Sequence, residues 1–201
     1  MINLDALFQL LADKGFKDPD TGNLFFPAYI YTYDPKEEYE MRKQIKALGK
    51  KLQRPNHYLE CQILNIFEEL IEYLKSQTFA GNTLFEDIGA KEEENPKEAA
   101  RWIKEEIELG FYKYLREKIE KHFSFESEKR VYLIIHGFGS AYPYLRASEF
   151  LVKNEEFIKK FKVILFYPGK FENSNYRLFN ILEDENMYRA NYLNKFLAES
   201  N

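Results

Sequence analysis

The chain has 201 residues, with 29 Lys and Arg against 33 Asp and Glu for a formal net charge of −4. That length suits one domain, and the acidic balance weighs against a coat for nucleic acid, which needs a basic surplus. A single cysteine, Cys61, excludes an internal disulfide and a cysteine-rich zinc site, while 15 Tyr and 18 Phe make the chain unusually aromatic.

The opening residues, MINLDALFQLLADKGF, predict a helix over 4–14 with Leu7, Phe8, Leu10 and Leu11 on one face and Gly15 as its stop. They lack a basic flank and a small-residue cleavage site, so no signal peptide is expected. No stretch reaches the ~18 continuous apolar residues of a membrane helix, and the expected location is the cytoplasm. After the turn KDPDTGN (17–23), residues 25–33 read as a strand, with Pro27 near its start. Asp34-Pro35-Lys36-Glu37 is a helix start: an acid to cap, a proline for the first helical position, and an acid three residues on. The helix that follows places Met41, Ile45, Leu48 and Leu52 inward. Its charges run from Glu37, Glu38 and Glu40 to Lys46, Lys50, Lys51 and Arg54, the order the helix dipole favours. Pro55-Asn56 ends it, and 58–64 form a second strand with Leu59, Cys61 and Ile63 on one face.

Asn65 caps a helix bearing Phe67, Leu70, Ile71 and Leu74. The polar stretch 76–95 reads as an exposed excursion. Asn95-Pro96-Lys97-Glu98 opens a long helix to about Phe123, with Gly110 marking a bend or break. Strand 130–136 leads into a Gly-rich turn, then a helix from about Pro143 to Lys153 and a strand over 162–168. A polar turn after Pro168-Gly169 and a final helix near 187–198 close the chain. Strands alternating with helices predict a single α/β domain over 1–201. Its sheet is mainly parallel, of about four to five strands with helices on both faces, Rossmann-like or degenerate P-loop-like.

Candidate chemistry is sparse. The turn Gly137-Phe138-Gly139-Ser140, running on to Tyr142 and Pro143, has the strand-to-helix position of a phosphate cradle. It lacks both the P-loop lysine and the third glycine of the dinucleotide fingerprint. An esterase would need a nucleophile elbow and a histidine beyond His136, and neither is present. His57, His122 and His136 show no ligand spacing, so no metal is expected. Glu183-Asp184-Glu185 reads as an acidic flank for the last helix. Arg42, Lys43, Lys46, Lys50, Lys51 and Arg54 form a basic stripe, read as a solvated helix face, with DNA contact the alternative. Arg146, Arg177 and Arg189 stand among aromatic residues, where a guanidinium serves as a clamp with an internal partner or as a binding anchor. Arg146 is expected to meet an acid or carbonyls within the fold.

The blocks GFGSAYPYLR (137–146), ILFYPGKF (164–171), YRLFNIL (176–182), DENMYRANYL (184–193) and YIYTYDPKEEYEMRKQI (29–45) together resemble the BrxB family of bacteriophage-exclusion (BREX) defence systems. By position the resemblance covers Gly137, Gly139, Ser140, Tyr142, Pro143 and Arg146, then Phe166, Tyr167, Pro168 and Gly169. It continues through Arg177, Leu178 and Phe179 to Tyr188, Arg189 and Ala190. Asp34, Pro35, Glu38 and Arg42 match as an amino-terminal cap and helix. His136, Met187 and Lys170-Phe171-Glu172 depart from the family pattern. The resemblance implies a role in phage defence and a partner, the PglZ protein of the same system, with other BREX components as further partners. No catalytic residue and no cofactor are then expected, and neither a membrane nor nucleic acid as sole partner. The alternatives are a nucleotide-binding regulatory domain using the turn from Gly137 to Pro143, or a DNA-contacting subunit using the basic face of helix 35–54.

Overall fold

A computed structural model describes residues 4–17, 27–54, 59–123, 132–184 and 190–199. Phe25 and Phe26, the stop at Pro55-Asn56, His57, the first two residues of strand 130–136, and Tyr188 with Arg189 lie outside them.

Strand β1 (Ala28–Tyr33) is buried along its whole length. A strand turns successive side chains to opposite faces, and here Tyr29, Tyr31 and Tyr33 enter one apolar cluster while Ala28 and Ile30 enter another. Strands β2 (Cys61–Asn65), β5 (Tyr132–His136) and β6 (Lys162–Glu172) divide in the same way. With β9 (Asn191–Tyr192) they form a sheet of order β2-β5-β6-β1-β9, in which each of these neighbouring pairs is parallel. Near-continuous apolar runs are what a parallel sheet covered on both faces demands. The predicted α/β architecture is the observed one.

One face is covered by α1 (Leu4–Ala12), α3 (Glu38–Leu52) and α11 (Leu193–Glu199). The four inward residues expected of α3, Met41, Ile45, Leu48 and Leu52, are all buried, each worth ~1.5–3 kcal/mol of transfer free energy. Leu59, Cys61 and Ile63 pack on this face together, as their alternation predicts. Gly15 does not stop the first helix. It lies inside a second short one, α2 (Lys14–Lys17), started by Asp13, whose Oδ1 accepts from the Phe16 N–H at 3.0 Å.

The other face begins with α4 (Ile66–Ser76), capped by Asn65 as predicted. Residues 76–95 stay largely at the surface but are built as a hairpin, β3 (Thr78–Phe79) and β4 (Asn82–Thr83), followed by α5 (Leu84–Glu94). A capping box joins Thr83 and Glu86, and Ile88 alone in α5 is buried. Then come α6 (Pro96–Glu106), a π-helical turn (Ile107–Phe111) that holds Gly110 at the expected break, and α7 (Tyr112–His122).

Three features after His136 differ from expectation. The Gly-rich turn is itself a one-turn helix, α8 (Phe138–Ala141), and a cis Tyr142-Pro143 bond separates it from α9 (Ala147–Lys153) and α10 (Glu155–Ile158). Pro168 and Gly169 do not turn the chain. Strand β6 runs through them, leaves the parallel sheet, and folds back as antiparallel β7 (Asn175–Leu178) and β8 (Leu182–Asp184). Tyr192 belongs to strand β9 rather than the last helix, because its backbone pairs with Ile30.

Candidate functional site

In open α/β sheets, ligands bind outside the carboxyl ends of the strands. Here that end is built over by the residues singled out in the sequence. After β1, Asp34 Oδ1 accepts from the Lys36 N–H at 3.0 Å and Pro35 enters a 3₁₀ turn, so both act as a cap. One turn on, Glu38 accepts the Tyr33 hydroxyl in a short hydrogen bond and the Arg42 Nε–H at 2.8 Å. Burial, reinforced by the Glu38 charge, pushes the Tyr33 phenol far above its ordinary range, so it remains a donor. Arg42 then reaches across to α8, where its Nη2 donates to Ser140 Oγ at 2.7 Å. A contact spanning 98 positions thus joins the amino-terminal motif to the glycine motif. Arg42 therefore leaves the solvated stripe, in which Lys46 and Lys50 stay exposed and Lys51 pairs with Asp5 at 2.8 Å.

The other motifs converge by close approach. A Cβ placed on Gly139 would lie 2.9 Å from Pro168 Cγ and 3.1 Å from Phe179 Cε1, so the absence of a side chain lets α8 seat beneath the β6–β7 hairpin. The Phe179 N–H donates to the Pro168 carbonyl at 2.9 Å. The Phe179 ring meets Tyr142 edge-on at 6.1 Å, and Arg146 lies 5.5 Å from the Tyr142 ring centre. Arg146 also donates to the Glu183 carbonyl at 3.2 Å, the kind of partner its surroundings required. Arg177 pairs with Glu183 at 2.6 Å and approaches Glu172 at 4.0 Å. Gly137, with φ +90°, starts α8 in a left-handed conformation.

Two buried polar groups near this cluster were not recognised as such from the sequence. Asp184, read as a helix flank, is a buried strand residue that accepts the Ser148 hydroxyl in a short hydrogen bond and the Tyr167 hydroxyl at 3.2 Å. Burial pushes its carboxyl above the usual range, which these two donors partly offset. The signal was local: an acid following Leu182 in a stretch with strand periodicity. His136 is 4% exposed, its Nδ1 has no hydrogen-bond partner, and burial lowers its pKa to about 4.

Chemically the two serines of the cluster are engaged, while His136 Nδ1 and Arg177 Nε have no hydrogen-bond partner. Ser140 is held by a guanidinium, which has no lone pair to take its proton, and Ser148 donates to a carboxylate, with no hydrogen bond to a histidine among the described residues. Among the described residues no group of three or more His, Cys, Asp or Glu is placed to hold a metal ion, and no helix is long and apolar enough to cross a membrane. Of the sequence candidates, Arg42 and Ser140 meet, as do Gly139, Pro168 and Phe179, and Tyr142 with Arg146. Asp34 and Pro35 cap the 3₁₀ turn that leads into α3.

These features define an α/β protein whose central parallel strand continues past the sheet into an antiparallel extension, β6–β7–β8, next to the motif residues. The profile of the BrxB family, described as BREX protein BrxB, matches residues 62–193, and the chain belongs to that family. It is 20% identical over 187 residues to a BREX protein BrxB of Bacillus cereus (strain H3081.97), covering 93% of each chain. It is 22% identical over 178 residues to a BREX protein BrxB of Escherichia coli O9:H4 (strain HS), covering 89% of this chain and 82% of that one. No solved structure matches. The family match begins inside β2, so Glu38 and Arg42 precede it, although Arg42 is tied to Ser140 within it.

Proposed function

We propose that the protein is a non-catalytic component of a BREX phage-defence system, an adaptor that binds a PglZ-type partner. The observation that carries this reading is the internal pairing of the motif side chains. Arg42, Glu38, Ser140, Tyr167, Asp184 and Arg177 are bonded to one another or to near neighbours, not left aimed at a reacting group. An enzyme needs a nucleophile within reach of a base and an unoccupied place for the reacting atom. A docking protein needs a rigid scaffold with aromatic and arginine groups at its rim, and Tyr142, Arg146, Arg177 and Phe179 are only half-buried. The reading requires no cofactor. Co-expression with the PglZ protein of the same operon, followed by size-exclusion chromatography, tests it. A co-eluting complex at micromolar concentration is expected, and separate elution of the two proteins overturns the reading.

A further inference from the structure

The net charge of the chain is not spread evenly. Between Thr78 and Glu106 there are eight acids and four bases, so this one segment carries the entire excess of −4. It is also where the structure has a sizeable cavity, of about 690 Å³, framed by the β3–β4 hairpin, α5 and α6. Phe79, Leu84 and Trp102, the only tryptophan in the chain, supply its apolar wall, and Asp87, Glu94 and Glu106 its acids. Helix α4 runs from the carboxyl ends of the strands back to this hairpin, so the cavity lies about one helix length, ~16 Å, from the motif cluster.

Phe79 is 78% exposed, held at the end of a two-residue strand by a turn with left-handed Ala80 and Gly81. A large aromatic presented on a stiff hairpin beside a cavity is apolar surface with no partner inside the fold. The acids are likewise incomplete. Asp87 is bonded by the neutral Asn82 amide at 3.0 Å and Glu106 by the Tyr73 hydroxyl at 3.1 Å. No cation among the described residues lies within ion-pair distance of either. The lining cation Lys91 is already committed to Glu94 and Glu98 and lies over Trp102, and Lys75 lies over the Phe85 ring.

We infer that this face is the docking surface for a basic segment of the partner protein, one that sends an apolar side chain between Phe79, Leu84 and Trp102 and offers Lys or Arg to Asp87 and Glu106. Charge selects this occupant. A second copy of the chain would bring acids against acids, and nucleic acid would be repelled by a lining of three acids and one lysine within a segment of net −4. This inference rests on the adaptor reading and adds a second contact face to the aromatic and arginine rim of the motif cluster.

The test is the affinity of the operon's PglZ protein for the wild-type chain, for Phe79→Ser and for Asp87→Lys, measured at low and high salt, with melting temperatures recorded for each chain. Phe79 is exposed and Asp87 half-buried, bonded only through the Asn82 amide at the surface, so both variants should fold, and the melting temperatures check this. Phe79→Ser should weaken binding about 30-fold, the scale of an aromatic hot spot, and Asp87→Lys should weaken it and reduce its salt sensitivity. Wild-type affinity in both folded variants overturns this assignment and leaves the adaptor reading intact. No binding by the wild-type chain overturns the adaptor reading and this assignment with it.

Discussion

Gly169→Ala tests whether the hairpin extension depends on backbone contact. Gly169 pairs with Leu178 across β6 and β7. A methyl group there would stand 2.1 Å from the Arg177 carbonyl oxygen, 3.0 Å from its carbon and 3.1 Å from Tyr167 Cε1. Carbon–oxygen contacts rarely close below ~3.3 Å, so the two strands must separate by about 1 Å. The obstacle is main chain and cannot rotate away. Overpacking of this kind costs ~1–3 kcal/mol, and loosening the adjacent Phe179–Pro168 hydrogen bond adds about 1 kcal/mol. The stiffer unfolded chain returns ~0.4–1 kcal/mol. The net expectation is a loss of about 2 kcal/mol, or roughly 4–8 °C in Tm for a chain of this size. Thermal unfolding followed by circular dichroism, paired with urea titration, measures it. A Tm unchanged within about 1 °C would show that the hairpin accommodates a side chain at this position and would refute the close-approach argument.

Other expectations follow from single groups. Arg42→Ala should cost about 1–2 kcal/mol in urea unfolding, since it leaves Glu38 and Ser140 without their charged donor. Arg42→Lys should recover only part of this, because an ammonium cannot fork between two acceptors. His136 has a folded-state pKa near 4, below its unfolded value of about 6.5. The unfolded chain therefore binds the proton first, and the histidine's contribution, complete above pH ~6.5, is lost as pH falls towards 4. Replacing His136 by Asn should flatten the difference in stability between those two pH values. An unchanged pH profile would contradict its burial as a neutral ring. Cys61 is buried and its thiol is pushed up to about 11 by burial. It should resist thiol reagents at pH 8 in the folded protein and react on unfolding; rapid native-state labelling would contradict this placement.

Local patterns carried most of the secondary structure. The Asp34-Pro35 and Asn95-Pro96 starts, the inward residues of α3 and the apolar runs of β5 and β6 all appear where periodicity and capping chemistry put them. What was missed had a different origin. A glycine pair usually marks a turn, but Gly139 lies in a one-turn helix closed by the Ala141 and Tyr142 N–H groups, and its missing side chain leaves room for Pro168 and Phe179. Pro168-Gly169 usually ends a strand, yet β6 continues because β7 supplies a partner at that edge and Gly169 permits the approach. The capping box at Thr83 and Glu86 was present in the residues, hidden by the polarity of its surroundings.

By itself the sequence determined the alternation of strands and helices, the sheet buried on both faces, and the motif blocks that mark the BrxB family. These depend on side-chain type and on spacing over a few residues. Only the tertiary structure decided that Arg42 meets Ser140 across 98 positions, that Asp184 is a buried acceptor for Ser148 and Tyr167, and that an acidic, aromatic cavity stands apart from the motif cluster. Those contacts join residues far apart in the chain, and what each group does is set by which distant neighbour satisfies its charge or hydrogen bond.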